Sequence, residues 1–260
     1  MAVVNVVSRA EYENKRWKKI TNLFFAQQDN LAPIGVSEFP RAMMATAVGF
    51  LPIENNLLPV AIQGLVSGQN WFVGPDGKWV GDYLPAIYGC YPFRLARMEN
   101  DNLVLCIDEE SGLVTDKWDE EAELFFDAEH NPSPIVTQIM NNLNKIEQDR
   151  TKAQQICAIL QKYELFEPWP IQIEGEEGPQ KIEGIFRINE GKLNALPAEA
   201  LIELRDKNAL LVAYGHLFSM QNLHKLGRLG GAHKKARNRD QPNLEMGIVG
   251  DSGIISFDNL

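Results

Sequence analysis

The sequence lacks the short motifs that mark the common phosphate-binding and hydrolytic sites. It contains no Gly-x-x-x-x-Gly-Lys-Ser/Thr loop, no Gly-x-Gly-x-x-Gly, no His-Glu-x-x-His and no Gly-x-Ser-x-Gly. These absences remove the usual signatures of nucleotide binding, zinc proteolysis and serine hydrolysis. The missing motifs favour a protein that is not an enzyme. If the protein is an enzyme, its catalytic residues are unknown.

Cysteine and histidine are both scarce. The three cysteines, Cys90, Cys106 and Cys157, are far apart and lie mostly among apolar neighbours, which predicts buried, reduced thiols. His216 and His224 are separated by eight residues, which turns them about 80° apart on a helix. That angle does not point both rings at one metal ion. We therefore predict no metal site and no cofactor.

The chain also lacks a recognisable export signal and a plausible membrane span. The first apolar stretch is interrupted at Asn5 and is followed, not preceded, by basic residues. This start predicts a cytoplasmic protein, or one that reaches the cell surface by a route needing no signal peptide. Residues 55–75 carry no charge but many amides and glycines, so a buried sheet fits them better than a transmembrane helix.

The charge is unevenly distributed along an otherwise ordinary globular composition. With 35 acidic and 25 basic residues, the formal charge is −10, which argues against nucleic acid and anionic membranes as partners. Residues 99–129 hold twelve acids and one base, typical of a solvated mobile loop. Residues 225–239 hold six bases and no acid. We expect these two segments to pair, within one chain or between neighbouring chains.

The pattern of apolar residues predicts an α+β fold in a single mixed domain. Strands are expected at 3–7, 60–66 and 103–107, with a hairpin turn at Gly74–Gly77. Ser37 is the predicted N-cap of a short helix that has Pro40 in its first turn. The first half is therefore rich in strands.

The second half is predicted to be mainly helical. Apolar spacing gives one or two helices over 132–166, then paired strands at 169–173 and 180–188, and further helices at 197–207 and 209–226. Three glycines from Gly227 onward are expected to break the last helix. The sequence thus predicts a domain over 1–226 and a flexible, glycine-rich basic tail or appendage over 227–260.

Seven residues are candidates for binding a ligand. Glu38 and Arg41 lie one helical turn apart, so they either pair with each other or leave the guanidinium for an anionic ligand. His216 is either a structural histidine or part of a site. An aromatic-rich region either forms core or lines a groove for sugar or peptide; its candidate members are Trp71, Trp79, Tyr83 and Tyr91.

A series of short motifs, in this order and spacing, resembles the SapC-like family of bacterial proteins. The resemblance covers about 31–226, most of the chain. The motifs are Glu38-Phe-Pro-Arg41, Asn70-Trp-Phe72, Gly77-Lys-Trp79, Tyr83-Leu-Pro85, Tyr91-Pro-Phe93, Leu105-Cys-Ile-Asp108, Leu165-Phe-Glu-Pro-Trp169, Leu193-Asn-Ala-Leu196 and Ala213-Tyr-Gly-His216-Leu.

The resemblance implies an accessory role at the cell envelope. The family takes its name from a component linked to paracrystalline surface layers, and similar proteins occur beside outer-membrane receptors, tryptophan halogenases and cupin-like oxygenases. An unrelated peptide-transport permease has the same name, but a permease needs several apolar spans, which this sequence lacks.

Three functions follow as hypotheses. The first is a non-enzymatic binding or assembly protein at the bacterial surface or an outer-membrane uptake system, with a protein or glycan partner. The second is an accessory or metal-dependent, oxygenase-like enzyme that modifies a peptide or sugar. The third is a structural subunit of a surface layer, and homo-oligomers are possible under each reading.

Overall fold

Thirteen short strands are found in the described part of the chain. A computed structural model of the protein describes residues 4–53, 56–98, 102–175 and 178–240. The strands are β1 (Val4–Val6), β2 (Arg16–Lys18), β3 (Leu31–Pro33), β4 (Val48–Ile53), β5 (Asn56–Ile62), β6 (Phe93–Arg97), β7 (Leu103–Asp108), β8 (Val114–Thr115), β9 (Ala122–Leu124), β10 (Phe166–Pro168), β11 (Ile171–Gly175), β12 (Gly178–Ile182) and β13 (Phe186–Ile188).

Helices dominate the second half, in agreement with the predicted α+β class. They are α1 (Arg9–Tyr12), α2 (Phe39–Ala45), α3 (Pro134–Lys162), α4 (Glu190–Asn194), α5 (Ala198–Asp206), α6 (Ala209–Ser219) and α7 (Leu223–Asp240). Short 3₁₀ helices occur at Phe24–Ala26, Ala86–Cys90, Glu109–Ser111 and Met220–Asn222.

The strands form four small antiparallel sheets. The largest has the order β10-β13-β4-β5-β3, and a three-stranded sheet has the order β1-β7-β6. The others are β8-β2-β9 and the pair β11-β12. The predicted strand at 103–107 is confirmed as β7, which lies between β1 and β6. The predicted strand at 180–188 is two strands, because β12 pairs with β11 while β13 pairs with β10 and β4.

The first part of the charge-free stretch, residues 56–62, is a strand of a buried sheet, as predicted. Residues 57–62 of β5 are all buried, and β5 lies between β4 and β3 in the five-stranded sheet. Within the described ranges, no helix combines the length and the apolar character that crossing a membrane requires. The missing charges therefore reflect burial inside the protein.

A single long helix, α3, connects two hydrophobic cores. Ser133 caps its start, where the hydroxyl accepts from the Val136 amide, and Pro134 occupies the first turn. The first half packs Val136 and Leu143 against a core that contains Trp17, Phe93 and Phe125. The second half packs Ile156, Cys157 and Leu160 against a core of α2, β4, β5 and α6 residues.

The acidic segment is more ordered than its composition predicts. It contributes β7, β8 and β9, and β2 lies between β8 and β9. Lysines on and around β2 offset part of its charge, since Lys15 pairs with Glu109, Lys18 with Asp119 and Lys19 with Glu123. These ion pairs reduce the repulsion among carboxylates that the strands bring together. Pairing with the basic tail stays a prediction, because side chains beyond residue 233 lie outside the description.

The predicted helix break at Gly227 is wrong. Helix α7 runs through all three glycines to Asp240. Leu226 is buried, and a Cβ at Gly230 would lie 2.9 Å from the Trp71 ring, so a close contact with the body holds the helix there. Tertiary packing outweighs the low helix propensity of glycine. Residues 241–260, the rest of the predicted tail, lie outside the described residues, and a domain boundary at 226 stays a prediction.

Candidate ligand-binding cavity

Glu38 is the centre of a buried hydrogen-bond cluster just before α2. Its Oε1 accepts from the Tyr83 hydroxyl and from the Ala86 amide, both at 2.7 Å, and its Oε2 accepts from the Gly35 amide at 3.2 Å. Only 7% of the residue is exposed. Three donors therefore satisfy the carboxylate and tie the 33–35 segment to the segment that begins the 86–90 helix.

Tyr83 and Trp79 extend this cluster. Burial raises the pKa of the Tyr83 hydroxyl far above its usual value, so the hydroxyl stays protonated and donates to Glu38. The Trp79 indole N–H in turn donates to the Tyr83 carbonyl at 2.9 Å. The fold thus brings together three of the candidate residues, Glu38, Tyr83 and Trp79. They form a buried hydrogen-bond cluster that holds neighbouring segments in place, not an open binding site.

A second clamp connects the same loop to α3. The Asp149 Oδ2 accepts from both the amide (2.8 Å) and the hydroxyl (2.7 Å) of Ser37. Ser37 is therefore not the N-cap of α2, contrary to prediction, because its hydroxyl is used across the fold and Glu38 occupies the cap position. A Cβ on Gly35 would lie 2.0 Å from that same Asp149 oxygen, so only glycine fits beside the clamp.

Between these clamps lies a partly enclosed cavity of about 150 Å³. Its walls come from β3 and the loop after it, the 86–90 helix, β6 and one face of α3, where residues 143, 146, 147 and 150 follow helical spacing. Gly35 lines it beside six apolar residues, namely Pro33, Ile34, Ile87, Leu95, Leu143 and Ile146. An apolar hollow with a few polar groups is the usual form of a small-molecule site.

Three charged side chains also line the cavity: Arg94, Glu147 and Arg150. Glu147 accepts from Arg97 at 3.3 Å and lies 3.8 Å from the Arg150 guanidinium. Arg94 lies 3.7 Å from Asp108. The separations of Arg94 and Arg150 from these carboxylates exceed hydrogen-bond distance, so both pairs are purely electrostatic contacts.

Comparison with protein families places most of the chain in one family. The model of the SapC family matches residues 7–226. The chain belongs to the SapC family. Comparison with curated proteins and with solved structures gave no match. Family membership confirms the resemblance carried by the ordered motifs, and several of these motifs, including Glu38-Phe-Pro-Arg41 and Tyr83-Leu-Pro85, build the support of the cavity.

In this SapC-family protein His216 is sealed in the core of α6, away from the cavity lining. Its Nδ1 lies 2.7 Å from the Val48 carbonyl, so it carries the proton and donates, while the buried Nε2 has no hydrogen-bond partner among the residues that the structure describes. The ring lies between Phe50 and Trp169. Desolvation by burial lowers the His216 pKa to about 4, which keeps the imidazole neutral at pH 7.

The other candidates are spread over the surface and a separate core. Arg41 is exposed on α2 and forms no ion pair within 4 Å in the described part of the chain, so the first of its two alternatives, a pair with Glu38, is absent there. Trp71 packs in a core with Leu226 and Trp169. Tyr91 stacks on Phe25 at 3.8 Å. Their predicted role in ligand binding stays a prediction.

The three cysteines are buried and free, as predicted. Burial raises the pKa of all three thiols, most strongly that of Cys157, to about 12. The thiols are therefore protonated and poor nucleophiles at neutral pH.

Sequence reasoning missed the residues that line the cavity. The apolar spacing of α3 was visible, but it is equally typical of a helix face packed solidly against a core. Neither Arg94 nor Arg150 lies in a recognisable sequence motif. The one available signal was the presence of Glu147 and Arg150 on the continuation of the same apolar face, where a fully packed helix would carry aliphatic side chains.

Proposed function

We propose that this SapC-family protein is a non-enzymatic binding protein whose ligand occupies the cavity beside α3. The observation that carries the proposal is an apolar hollow, rimmed by charged groups, between segments that Glu38 and Asp149 fix in place. Walls held by several hydrogen bonds between segments are preorganised, so little conformational freedom is lost when a ligand enters.

The chemistry of the lining supports binding rather than catalysis. The three thiols and His216 do not line the cavity. Glu38, the buried carboxylate beside the walls, already accepts three hydrogen bonds and acts as a positioning residue. The side chains that line the cavity are arginine, glutamate and aliphatic residues, which can bind a molecule through charge and apolar contact. An accessory or oxygenase-like enzyme stays the alternative prediction.

The wider setting of this binding protein is part of the proposal. The family's link to surface layers supports a place at the bacterial envelope or an uptake system, either in the cytoplasm or at the cell surface. A protein or glycan partner, and self-assembly into a surface layer, stay predictions. Sedimentation velocity over a hundredfold concentration range tests self-assembly, and a constant monomer would remove the surface-layer hypothesis.

Methyl NMR tests the cavity directly. Titration of protein labelled at isoleucine and leucine methyl groups with 1-hexanol is expected to shift signals of Ile34, Ile87, Leu143 and Ile146 while distant methyls stay still. Ile146→Trp fills the cavity and should abolish these shifts. Gln148→Trp adds the same ring at an exposed position of α3 and should leave them intact.

Two results would contradict the proposal. One is the absence of localised shifts at any accessible hexanol concentration. The other is equal binding by the Ile146→Trp and Gln148→Trp variants, which would place the ligand elsewhere. Thermal unfolding of both variants, measured in parallel, separates a filled cavity from an unfolded protein.

A further inference from the structure

We infer that the cavity selects a small monocarboxylate: a carboxylate group joined to an apolar body of about six carbon atoms. This inference rests on the proposed function and names the ligand class of the same site. Its basis is the placement of two guanidinium groups, those of Arg94 and Arg150, at a cavity whose other lining residues are apolar except for Glu147.

The two guanidinium groups have hydrogen-bond donors to spare. In the ranges that the structure describes, neither Arg94 nor Arg150 reaches an acceptor at hydrogen-bond distance, and their closest carboxylates lie at 3.7 and 3.8 Å. Each guanidinium carries five N–H donors in a planar fork that fits a carboxylate with two parallel bonds. Both side chains are partly exposed, so they can turn toward a ligand without losing an existing hydrogen bond.

The neighbouring carboxylates are already engaged. Glu147 accepts from Arg97, and Asp108 accepts from the Tyr91 hydroxyl at 3.2 Å and the Glu110 amide at 3.1 Å. Among the lining residues, two guanidinium groups face one carboxylate. Asp108 beside Arg94 and Asp149 beside Gly35 balance much of the positive charge, so the unused N–H donors carry the selectivity. A carboxylate can accept from these donors, whereas an ammonium group of the same size cannot.

The cavity's size and walls define the rest of the ligand. A cavity of about 150 Å³ lined by aliphatic side chains is large enough for a benzene-sized molecule. Most of its lining residues are apolar, so an apolar body that enters removes their accessible surface from water. Hexanoate and benzoate meet both requirements. A long-chain lipid or an oligosaccharide exceeds this volume.

Isothermal titration with four six-carbon ligands tests this class: hexanoate, 1-hexanol, hexylamine and hexyl phosphate. We expect hexanoate to bind at least tenfold more tightly than 1-hexanol, and hexylamine to bind most weakly. Arg94→Gln and Arg150→Gln should each weaken hexanoate binding about tenfold while changing hexanol binding less than twofold. Arg205→Gln removes an equal charge from the surface of α5 and serves as the matched control.

The outcomes separate this inference from the proposed function. Equal binding of hexanoate and hexanol would overturn the carboxylate class and leave the binding cavity standing. Tighter binding of hexyl phosphate would overturn it in favour of a phosphate headgroup. Failure of all four ligands would overturn both proposals. Loss of hexanoate binding in the Arg205→Gln variant would show a general charge effect and would also contradict the inference.

Discussion

Glu38 and His216 are both buried polar side chains, and the molecule uses them in opposite ways. Glu38 accepts three hydrogen bonds from two separate segments, at Gly35 and at 83–86, and holds the walls of a cavity. Within the described residues, the His216 side chain makes one hydrogen bond, to the Val48 carbonyl, and its other nitrogen has no partner among the surrounding aromatic rings. Burial alone therefore says little about a role: the Glu38 region is built around a hollow, while the His216 region is filled.

Removal of the Glu38 carboxylate is expected to have the largest effect. Glu38→Ala leaves the Tyr83 hydroxyl and the amides of Ala86 and Gly35 unpaired, which should lower the free energy of unfolding by roughly 3–5 kcal/mol. Tyr83→Phe removes only one donor and should cost about 1–2 kcal/mol. Urea unfolding of the three proteins checks this order, and equal stability of wild type and Glu38→Ala would show that the cluster is not structural.

Acid should weaken the His216 region. Because burial lowers the folded-state pKa of His216 to about 4, the unfolded chain binds the proton more readily, with an ordinary histidine pKa of about 6.5. Stability from the neutral ring is complete above pH 6.5 and is lost as the pH falls toward 4. The loss should reach about 3 kcal/mol over this window.

A comparison with His216→Phe isolates this contribution, since phenylalanine binds no proton. Urea unfolding at pH 7, 6, 5 and 4 should give a steeper decline for wild type than for the variant. Parallel curves would contradict a neutral, sealed histidine. Glutamate and aspartate titrations affect both proteins equally and cancel in the difference.

Gly35→Ala is expected to have a smaller effect, confined to the cavity side. The added methyl must displace Asp149 from Ser37, which should cost about 1–2 kcal/mol and weaken ligand binding. Gly89→Ala is the matched control, because a Cβ there meets no atom within 4 Å and should change stability by less than about 0.5 kcal/mol. If the two variants have equal stability and affinity, the Asp149 clamp has no part in shaping the cavity.

The sequence predicted elements that depend on local pattern. The buried β5, the paired β11 and β12, the apolar face of α3 and the α+β class all follow from residue spacing over short windows. The motif Glu38-Phe-Pro-Arg41 also marked a residue that matters. It did not reveal that Glu38 faces Tyr83 rather than Arg41, since that contact joins segments 45 residues apart.

Features that depend on contacts between distant segments could not be predicted from the sequence. The cavity requires β3, the 86–90 helix, β6 and α3 to leave a gap between them, and no local pattern records a gap. The continuity of α7 depends on Gly230 fitting against Trp71, a contact across the fold that reverses the local effect of three glycines. The strands of the acidic segment likewise pair with β2, whose lysines lie about a hundred residues earlier in the chain.

The most direct test of the account is the position of a bound carboxylate. A crystal of the full chain grown with 5-bromopentanoate, in which bromine replaces the terminal methyl of hexanoate, locates the ligand by anomalous scattering. The account predicts a bromine peak among Ile87, Leu143 and Ile146, with the carboxylate toward Arg94 and Arg150. An empty cavity, or bromine only at the protein surface, would contradict it.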